Sequence, residues 1–571
     1  TRDWIRSVAA VENQFTGPEP AADREPAEPT IFLEPDSYYW ITYARQVVET
    51  GAGRIRWTFM DNTPYGREVH YSSLPIWMLA GAGRIHAQCA GGPPGPSVAV
   101  AARWLNPFLL FVLTTALGIL ALRFLGILPT VALVAGLVTL PGLAWTFHPF
   151  RPDSQAFHVS FFLLQLVLLT LSGLGWVAER PAVPGADALF GAPEPSPGKR
   201  ARHLALAAGV AGGAGLWIGA TAHTVLMSAL VAGAAMAAGF RRLSRDNTPP
   251  DSAVFRPNIW RLWSRAGALS SLAFYLAEYF PSHLAMRLEV NHPLYALAWF
   301  CGGELLARFS TPRTPTQPTP AGTRAWNGIL YWAGVLALPA ALVWGPPEWH
   351  HMRDPVVRRL HEATSEHTGY IAFVGADWLR TFLLSFGWLP LGLPYAGWSL
   401  LRGRPAGFRR DVLLFTGTAA LALLLFMLAQ SRWVPFFAAA CLWLVVVQLS
   451  VGQALFGRDG PGQWILPGLV LLLIHFAFCG WSQQAQTRAA GQPRGPVPPW
   501  LLDAVMQKEA ARALADKQTP VRVLCDPDLT AALAYFGGAQ GVASYFWENA
   551  AGIRAAAEAL ADMNDQAAAR V

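Results

Sequence analysis

Apolar residues form long runs along this chain, and polar residues gather between the runs. Taking about 20 residues as the length that crosses ~30 Å of hydrocarbon, the pattern predicts about twelve membrane spans. They lie near residues 104–122, 129–147, 157–177, 203–219, 222–240, 266–281, 292–308, 327–345, 376–400, 411–429, 433–450 and 463–480. The runs at 266–281 and 292–308 are short and carry Glu278 and Glu304. Lys and Arg set the orientation, because they are retained in cytoplasmic loops. They cluster after the third run (Arg180, Lys199, Arg200, Arg202), the fifth (Arg241, Arg242, Arg245, Arg256, Arg261, Arg265), the seventh (Arg308, Arg313, Arg324) and the ninth (Arg402, Arg404, Arg409, Arg410). Residues 1–97, 148–156, 282–291, 346–375 and the stretch from 482 therefore share the exoplasmic side.

Past the last run the periodicity changes. A linker, "GQPRGPVPP", leads to a helical run from 500 to 516. "VRVLCDPDLTAALAYFGG" then reads as a buried strand, a turn at Pro527 and a helix closed by glycines, "GVASYFWEN" as another strand, and an alanine-rich helix follows. The expected fold class is an all-α polytopic membrane protein with a small C-terminal α/β exoplasmic domain. Its parts are a first exoplasmic loop (1–97), a transmembrane domain (98–481) with a long exoplasmic loop (346–375), and a partial soluble domain (482–571). The chain opens on Thr1 rather than Met. A preceding span, giving about thirteen by the same length rule, or a cleaved signal peptide is the expectation that follows.

Composition agrees with a membrane setting. Of 571 residues, 53% are hydrophobic and 14% charged, and the mean hydropathy is +0.30, values that a soluble domain of this length does not sustain. The net charge of +7 reads as positive-inside topology, and no nucleic-acid module is present in the pattern. The cysteines, Cys89, Cys301, Cys441, Cys479 and Cys525, stand singly, without the spacing of a zinc site or a disulfide framework. The Ala, Arg and Pro bias points to a bacterial inner or plasma membrane.

Chemistry concentrates in the exoplasmic segments. The first holds "EPDSYYW" and "DNTPYGREVHYSSLPIWML", the second "FHPFRPDSQAFH", the third "PSHLAMRLEVNHPLY", and the fourth "PPEWHHMRDPVVRRLHEATSEHTGYIAFVGADW". Single polar residues at a membrane boundary are commonly just solvated at the headgroup level. Asp36, Asp153 and Glu366 are more than that in combination, since hard oxygen ligands from separate loops of one face suit Mg²⁺ or Mn²⁺ at a phosphate-handling site.

These motifs, in this order, resemble the catalytic subunit of oligosaccharyltransferases, of the GT-C superfamily of polyprenol-dependent glycosyltransferases. "PDSYYW" is similar to the acidic motif of that family's first loop through Asp36, Tyr38 and Tyr39, and "TPYGREVHYSSLP" to the segment leading to the second span. "RPDSQ" resembles its paired-acid motif in part, with Asp153 present and Gln155 in place of the second acid, and "ATSEH" resembles its late-loop motif through Ser365, Glu366 and His367. "AQSRWVPFF" puts Arg432 where the family has the arginine that meets the lipid-linked pyrophosphate. The family's WWDYG motif is absent after residue 482, where "YFWENAAG", with Trp547 and Glu548, is the nearest cluster.

The resemblance implies transfer of a sugar or oligosaccharide from a polyprenyl-(pyro)phosphate donor to a protein or glycan acceptor at the exoplasmic face. It implies Asp36 and Glu366 as catalytic residues, Asp36, Asp153 and Glu366 as ligands of Mn²⁺ or Mg²⁺, and Arg432 as a donor contact. His158, His367 and Arg287 are further candidate phosphate or sugar contacts. Two alternatives stand beside this reading. One is a monosaccharide transferase of the same superfamily, using a polyprenyl monophosphate sugar, to which the paired acids Glu34 and Asp36 are open. The other is a lipid-glycan flippase or transporter, which calls for charges deep in several spans and repeat symmetry.

Overall fold

A computed structural model describes residues 30–173, 176–177, 197–243, 254–255, 258–280, 287–310, 321–402, 408–456, 499–515 and 521–562. The expected span at 463–480 lies outside these residues.

The segment before residue 97, expected as an exoplasmic loop, carries regular structure from Pro35 onward. Helix α1 (Pro35–Thr50) starts where Glu34 is extended and Pro35 fills the first turn, whose N–H would have no partner anyway. It stops at Gly51, whose φ of 71° favours glycine. A short antiparallel hairpin follows, β1 (Trp57–Thr58) against β2 (Arg67–Glu68), and then α2 (Ser73–Ala90), capped by the Ser72 hydroxyl.

The membrane domain is built from α3 (Pro94–Leu125), α4 (Ile127–Thr139), α5 (Ser154–Leu171), α6 (Pro197–Ile218), α7 (Ala220–Leu243), α8 (Asn258–Tyr279), α9 (Pro293–Ser310) and α10 (Ala321–Trp344). A pair of two-residue strands, β3 (Trp176–Val177) and β4 (Val254–Phe255), lies between them in the chain. Helix α11 (Pro355–Ala363) belongs to the long loop, and α12 (Trp378–Phe386), α13 (Gly392–Arg402), α14 (Phe408–Ala429) and α15 (Val434–Phe456) complete the domain. Among the described residues, five stretches are long and apolar enough to cross a membrane: Pro94–Leu125, Ser154–Leu171, Ala220–Leu243, Arg410–Ala429 and Ser431–Ser450. They make the chain an integral membrane protein.

Where the apolar run at 376–400 predicts one span, the structure has two short helices. Gly387 adopts φ 57° between them and Pro390 follows within a single 3₁₀ turn, so the helix cannot run through. The bundle closes by α6 against α5 and α8, α8 against α9, α7 against α14, and α15 against α4 and α5. Its core runs from Leu117 and Leu133 through Phe162 and Leu226 to Phe415, Phe437 and Trp443.

The C-terminal segment comprises α16 (Pro499–Ala515), β5 (Arg522–Val523), α17 (Pro527–Gly537), β6 (Gln540–Gly541) and α18 (Ala550–Asp562), with β5 and β6 parallel. "GVASYFWEN" holds only the last residue of β6, and its Trp547–Asn549 form a 3₁₀ turn. This segment shares a core with α1, α2 and the outer end of α3. Tyr38 stacks on Tyr535 at 4.9 Å, Tyr39 meets Phe546 edge-on at 4.6 Å, and Trp40 meets Tyr71 at 4.8 Å. The aromatic triplet after Asp36 is thus buried, each ring against a different partner from the hairpin region or the C-terminal segment.

Candidate active site

The start of α1, the loop before α5 and the late loop meet at one end of the bundle. The Leu33 N–H donates to the Phe150 carbonyl at 2.9 Å. The Asn106 amide, from α3, holds the same loop by donating to the carbonyls of Thr146, at 3.2 Å, and Arg151. Asp153 caps α5, accepting the Ser154 N–H, and Asp36 lies in the first turn of α1.

Arg151 organises the acids. Its guanidinium donates to Glu34, and to the Gln155 side-chain oxygen at 2.6 Å, and stands 3.9 Å from both Asp153 and Glu366. Glu366 sits in the 3₁₀ turn Ser365–His367, and that turn is tied to the one carrying Arg432. The Ser431 N–H donates to the Thr368 carbonyl at 2.8 Å and its hydroxyl to the Glu366 carbonyl at 3.4 Å. Gln155 completes the link, its amide donating to the Arg432 carbonyl at 3.5 Å. The residue standing in place of a second acid therefore joins Arg151 to the Arg432 turn. The Arg432 guanidinium lies 5.6 Å over the Trp433 ring.

Four carboxylates around one guanidinium cannot all ionise freely. Asp36 reaches solvent but is walled by protein on most sides. That desolvation, then the charges of Asp153, Glu366 and Glu34, push the pKa of its carboxyl well above the usual carboxylate range. Burial likewise raises Glu34 to about 7, against the pull of Arg151. His367 is held neutral: burial, then the charges of Arg432 and His361, bring it down to about 4. Its ring packs edge-on against His361 at 5.5 Å.

Of the other residues singled out in the sequence, His158 is buried within α5, its ring 6.5 Å from that of His223 on α7. Arg287 lies elsewhere, in a second, polar pocket with Glu68 and His351. Sequence reasoning missed Arg151 as the centre of the acid cluster and Gln155 as its link to Arg432. Both stand in the "RPDSQ" motif, and only the fold reveals their partners.

The fit of a divalent ion is mixed. The oxygens of Asp36, Asp153 and Glu366 have the right chemistry, but among the described residues no three acidic, His or Cys side chains are gathered closely enough to hold a metal. Arg151 supplies the positive charge at their centre.

Fold and site together define a polytopic membrane protein with a cluster of acids around Arg151 at one end of its bundle and Arg432 on the adjoining turn. No family model matches the chain, and no curated protein sequence matches it. Its fold is similar to that of solved oligosaccharyltransferases. The archaeal oligosaccharyltransferase AglB from Archaeoglobus fulgidus, in complex with an inhibitory peptide and a dolichol-phosphate, superposes with a TM-score of 0.61 at 12% identity, over 95% of this chain and 64% of that one. The A. fulgidus enzyme tethered with an acceptor peptide containing the NVT sequon gives 0.61 at 12% identity, over 96% and 64%. In complex with Zn and sulfate it gives 0.55 at 13% identity, over 95% and 62%. The chain thus spans about two thirds of the length of these proteins, and what it shares with them is the fold.

Proposed function

We propose that this protein transfers a sugar or oligosaccharide from a polyprenyl-(pyro)phosphate donor to a protein or glycan acceptor, at the exoplasmic face of a bacterial plasma membrane. The observation that carries this reading is the meeting of Asp36, Asp153 and Glu366, from three separate segments, around Arg151, with the Arg432 turn bonded to the Glu366 turn. Transfer from such a donor places negative charge on the leaving phosphate, which Arg432 neutralises while its stem stays among apolar neighbours. Neutral His367, on the adjoining turn, offers the phosphate a hydrogen bond from its one ring N–H without adding a positive charge. His158, buried within α5 beside His223, is a further candidate phosphate or sugar contact. Asp36 and Glu366 orient the acceptor nucleophile, and the carboxylate with the higher affinity for a proton is the better placed to take one from it.

Mn²⁺ or Mg²⁺ on Asp36, Asp153 and Glu366 would add further charge neutralisation at the leaving phosphate, and A. fulgidus AglB has been crystallised with Zn and sulfate. In this chain Arg151 competes for the same carboxylates, so metal binding is weaker than an all-acid site would give. The monosaccharide transferase remains the second reading, favoured by the pairing of Glu34 with Asp36 at the same cluster.

The test is transfer by purified protein from a panel of labelled polyprenyl-phosphate and -pyrophosphate sugars, with Mn²⁺ titrated separately by its electron spin resonance signal. Asp36→Ala and Glu366→Ala each lower transfer by about 100-fold or more, and Arg151→Gln tightens Mn²⁺ binding. Transfer that is indifferent to both acid substitutions sinks the proposal.

A further inference from the structure

Beside the acid cluster is a second pocket of about 240 Å³, and its lining comes from the β1–β2 hairpin, residue 287, the late loop and the C-terminal 3₁₀ turn. Its floor is electrically balanced. Buried Arg67 donates to Asp61 at 2.7 Å and to the Tyr43 hydroxyl at 3.0 Å, and lies 3.7 Å from Glu548. Its walls alternate acceptors and donors. The Glu68 carboxylate is 3.1 Å from the His70 ring and 3.8 Å from Arg287, and Arg287 reaches the His351 ring at 2.7 Å.

The aromatic groups are equally ordered. Trp547 packs against the rings of His70, at 5.0 Å, and His351, at 4.9 Å. Trp57 is different. It is 52% exposed at the rim and seated on Gly66, where a Cβ would come within 2.6 Å of the indole nitrogen. Gly66 also has φ 71°, so its absent side chain serves both the turn and the seating of Trp57.

We propose that this pocket is a subsite for one pyranose ring, a choice of ligand that rests on the transferase reading above. The volume equals roughly eight waters at ~30 Å³ each and falls below the range of drug-sized sites, which suits a single small ring. Near-balanced charge disfavours an ionic ligand, whereas ring hydroxyls both donate and accept and so match walls of alternating sign. The indole of Trp57 supplies the flat apolar surface that the C–H face of a sugar covers. Ring contacts join the pocket's wall to the helix that carries Asp36: Phe546, two residues before Glu548, meets Tyr71 at 5.2 Å, and Tyr71 meets Trp40 of α1 at 4.8 Å. A ring held here belongs either to the donor glycan or to a glycan acceptor.

Saturation-transfer-difference NMR on the full chain in nanodiscs, with a panel of methyl pyranosides and, separately, short Asn-x-Thr and Ser-containing peptides, tests the assignment. At least one pyranoside binds wild type. Its affinity falls 10-fold or more in Trp57→Ala and in Glu68→Gln, and stays unchanged in Leu243→Ala, an exposed position at the end of α7. Displacement by a polyprenyl-linked sugar assigns the ring to the donor, and absence of displacement assigns it to the acceptor. If no pyranoside binds, if peptides alone bind, or if Asp36→Ala abolishes binding that the pocket variants retain, the subsite is wrong. Sugar binding without transfer from any donor leaves the subsite standing and removes the transferase reading instead.

Discussion

Asp36 illustrates how little a single residue reveals on its own. As a carboxylate in the first turn of a helix it meets N–H groups that favour its charge, yet burial and three neighbouring acids outweigh them. A role that needs ionised Asp36 gives transfer that rises with pH through this raised value. Glu34→Gln removes one of the opposing charges, so the acidic limb of the pH–rate profile moves to lower pH; an unmoved limb refutes the coupling. The same substitution has a stability signature. Glu34 loses its proton near 4.5 when free and near 7 in the fold, so its contribution to stability is complete below 4.5 and is lost as pH rises towards 7. Thermal unfolding midpoints fall more steeply between pH 4.5 and 7 in wild type than in Glu34→Gln. Asp36, Asp153 and Glu366 could be singled out in the sequence because acids in separate segments of one face invite a common purpose. Arg151 was not, since an arginine at a membrane boundary has an ordinary role as a headgroup anchor, and its partners Glu34 and Glu366 lie 117 and 215 positions away in sequence.

At the scale of elements, a charge that weakened a span in the sequence turns out to fasten one. Glu278, at the end of α8, is buried and accepts from Arg56 at 2.7 Å, the Ser73 hydroxyl at 2.6 Å and the Trp217 indole at 2.7 Å. It ties α8 to the hairpin region, α2 and α6 at once. Glu278→Ala strands Arg56 without its partner and costs about 3 kcal/mol, whereas Glu278→Gln keeps an acceptor and costs about 1 kcal/mol. Thermal midpoints in detergent measure both, and equal losses would show that the charge is irrelevant. The helical class of the chain was legible because a 20-residue apolar run has few other solutions in lipid. The break between α12 and α13 was not, because hydropathy does not register the backbone demand of Gly387. Nor were α1 and α2 visible as helices: the buried face of α1 is largely aromatic and meets the distant C-terminal segment, and that of α2 is made of small and aliphatic residues packed on α1 and α3.

Across the whole molecule, the two ends of the described chain are joined. The Gly541 N–H donates to the Met60 carbonyl at 2.8 Å, and the N–H groups of Thr63 and Asn62 donate to the carbonyls of Gly541, at 3.0 Å, and Val542, at 3.2 Å. Hydrogen bonds of this kind require both segments on one side of the membrane. The basic residues ending α7, Arg241 and Arg242, assign the opposite side to the cytoplasm. Single cysteines introduced into a background lacking the native thiols separate the two faces. Tyr65→Cys and Met506→Cys, at positions 77% and 56% exposed, react with a membrane-impermeant maleimide in intact cells, and Leu243→Cys, at a position 84% exposed, reacts only after permeabilisation. Labelling of position 65 without 506 would mean that the C-terminal segment does not dock on the hairpin. The sugar pocket, which needs Trp57 and Trp547 on one face, would then lose half its wall, so this labelling tests the architecture on which the substrate proposal depends.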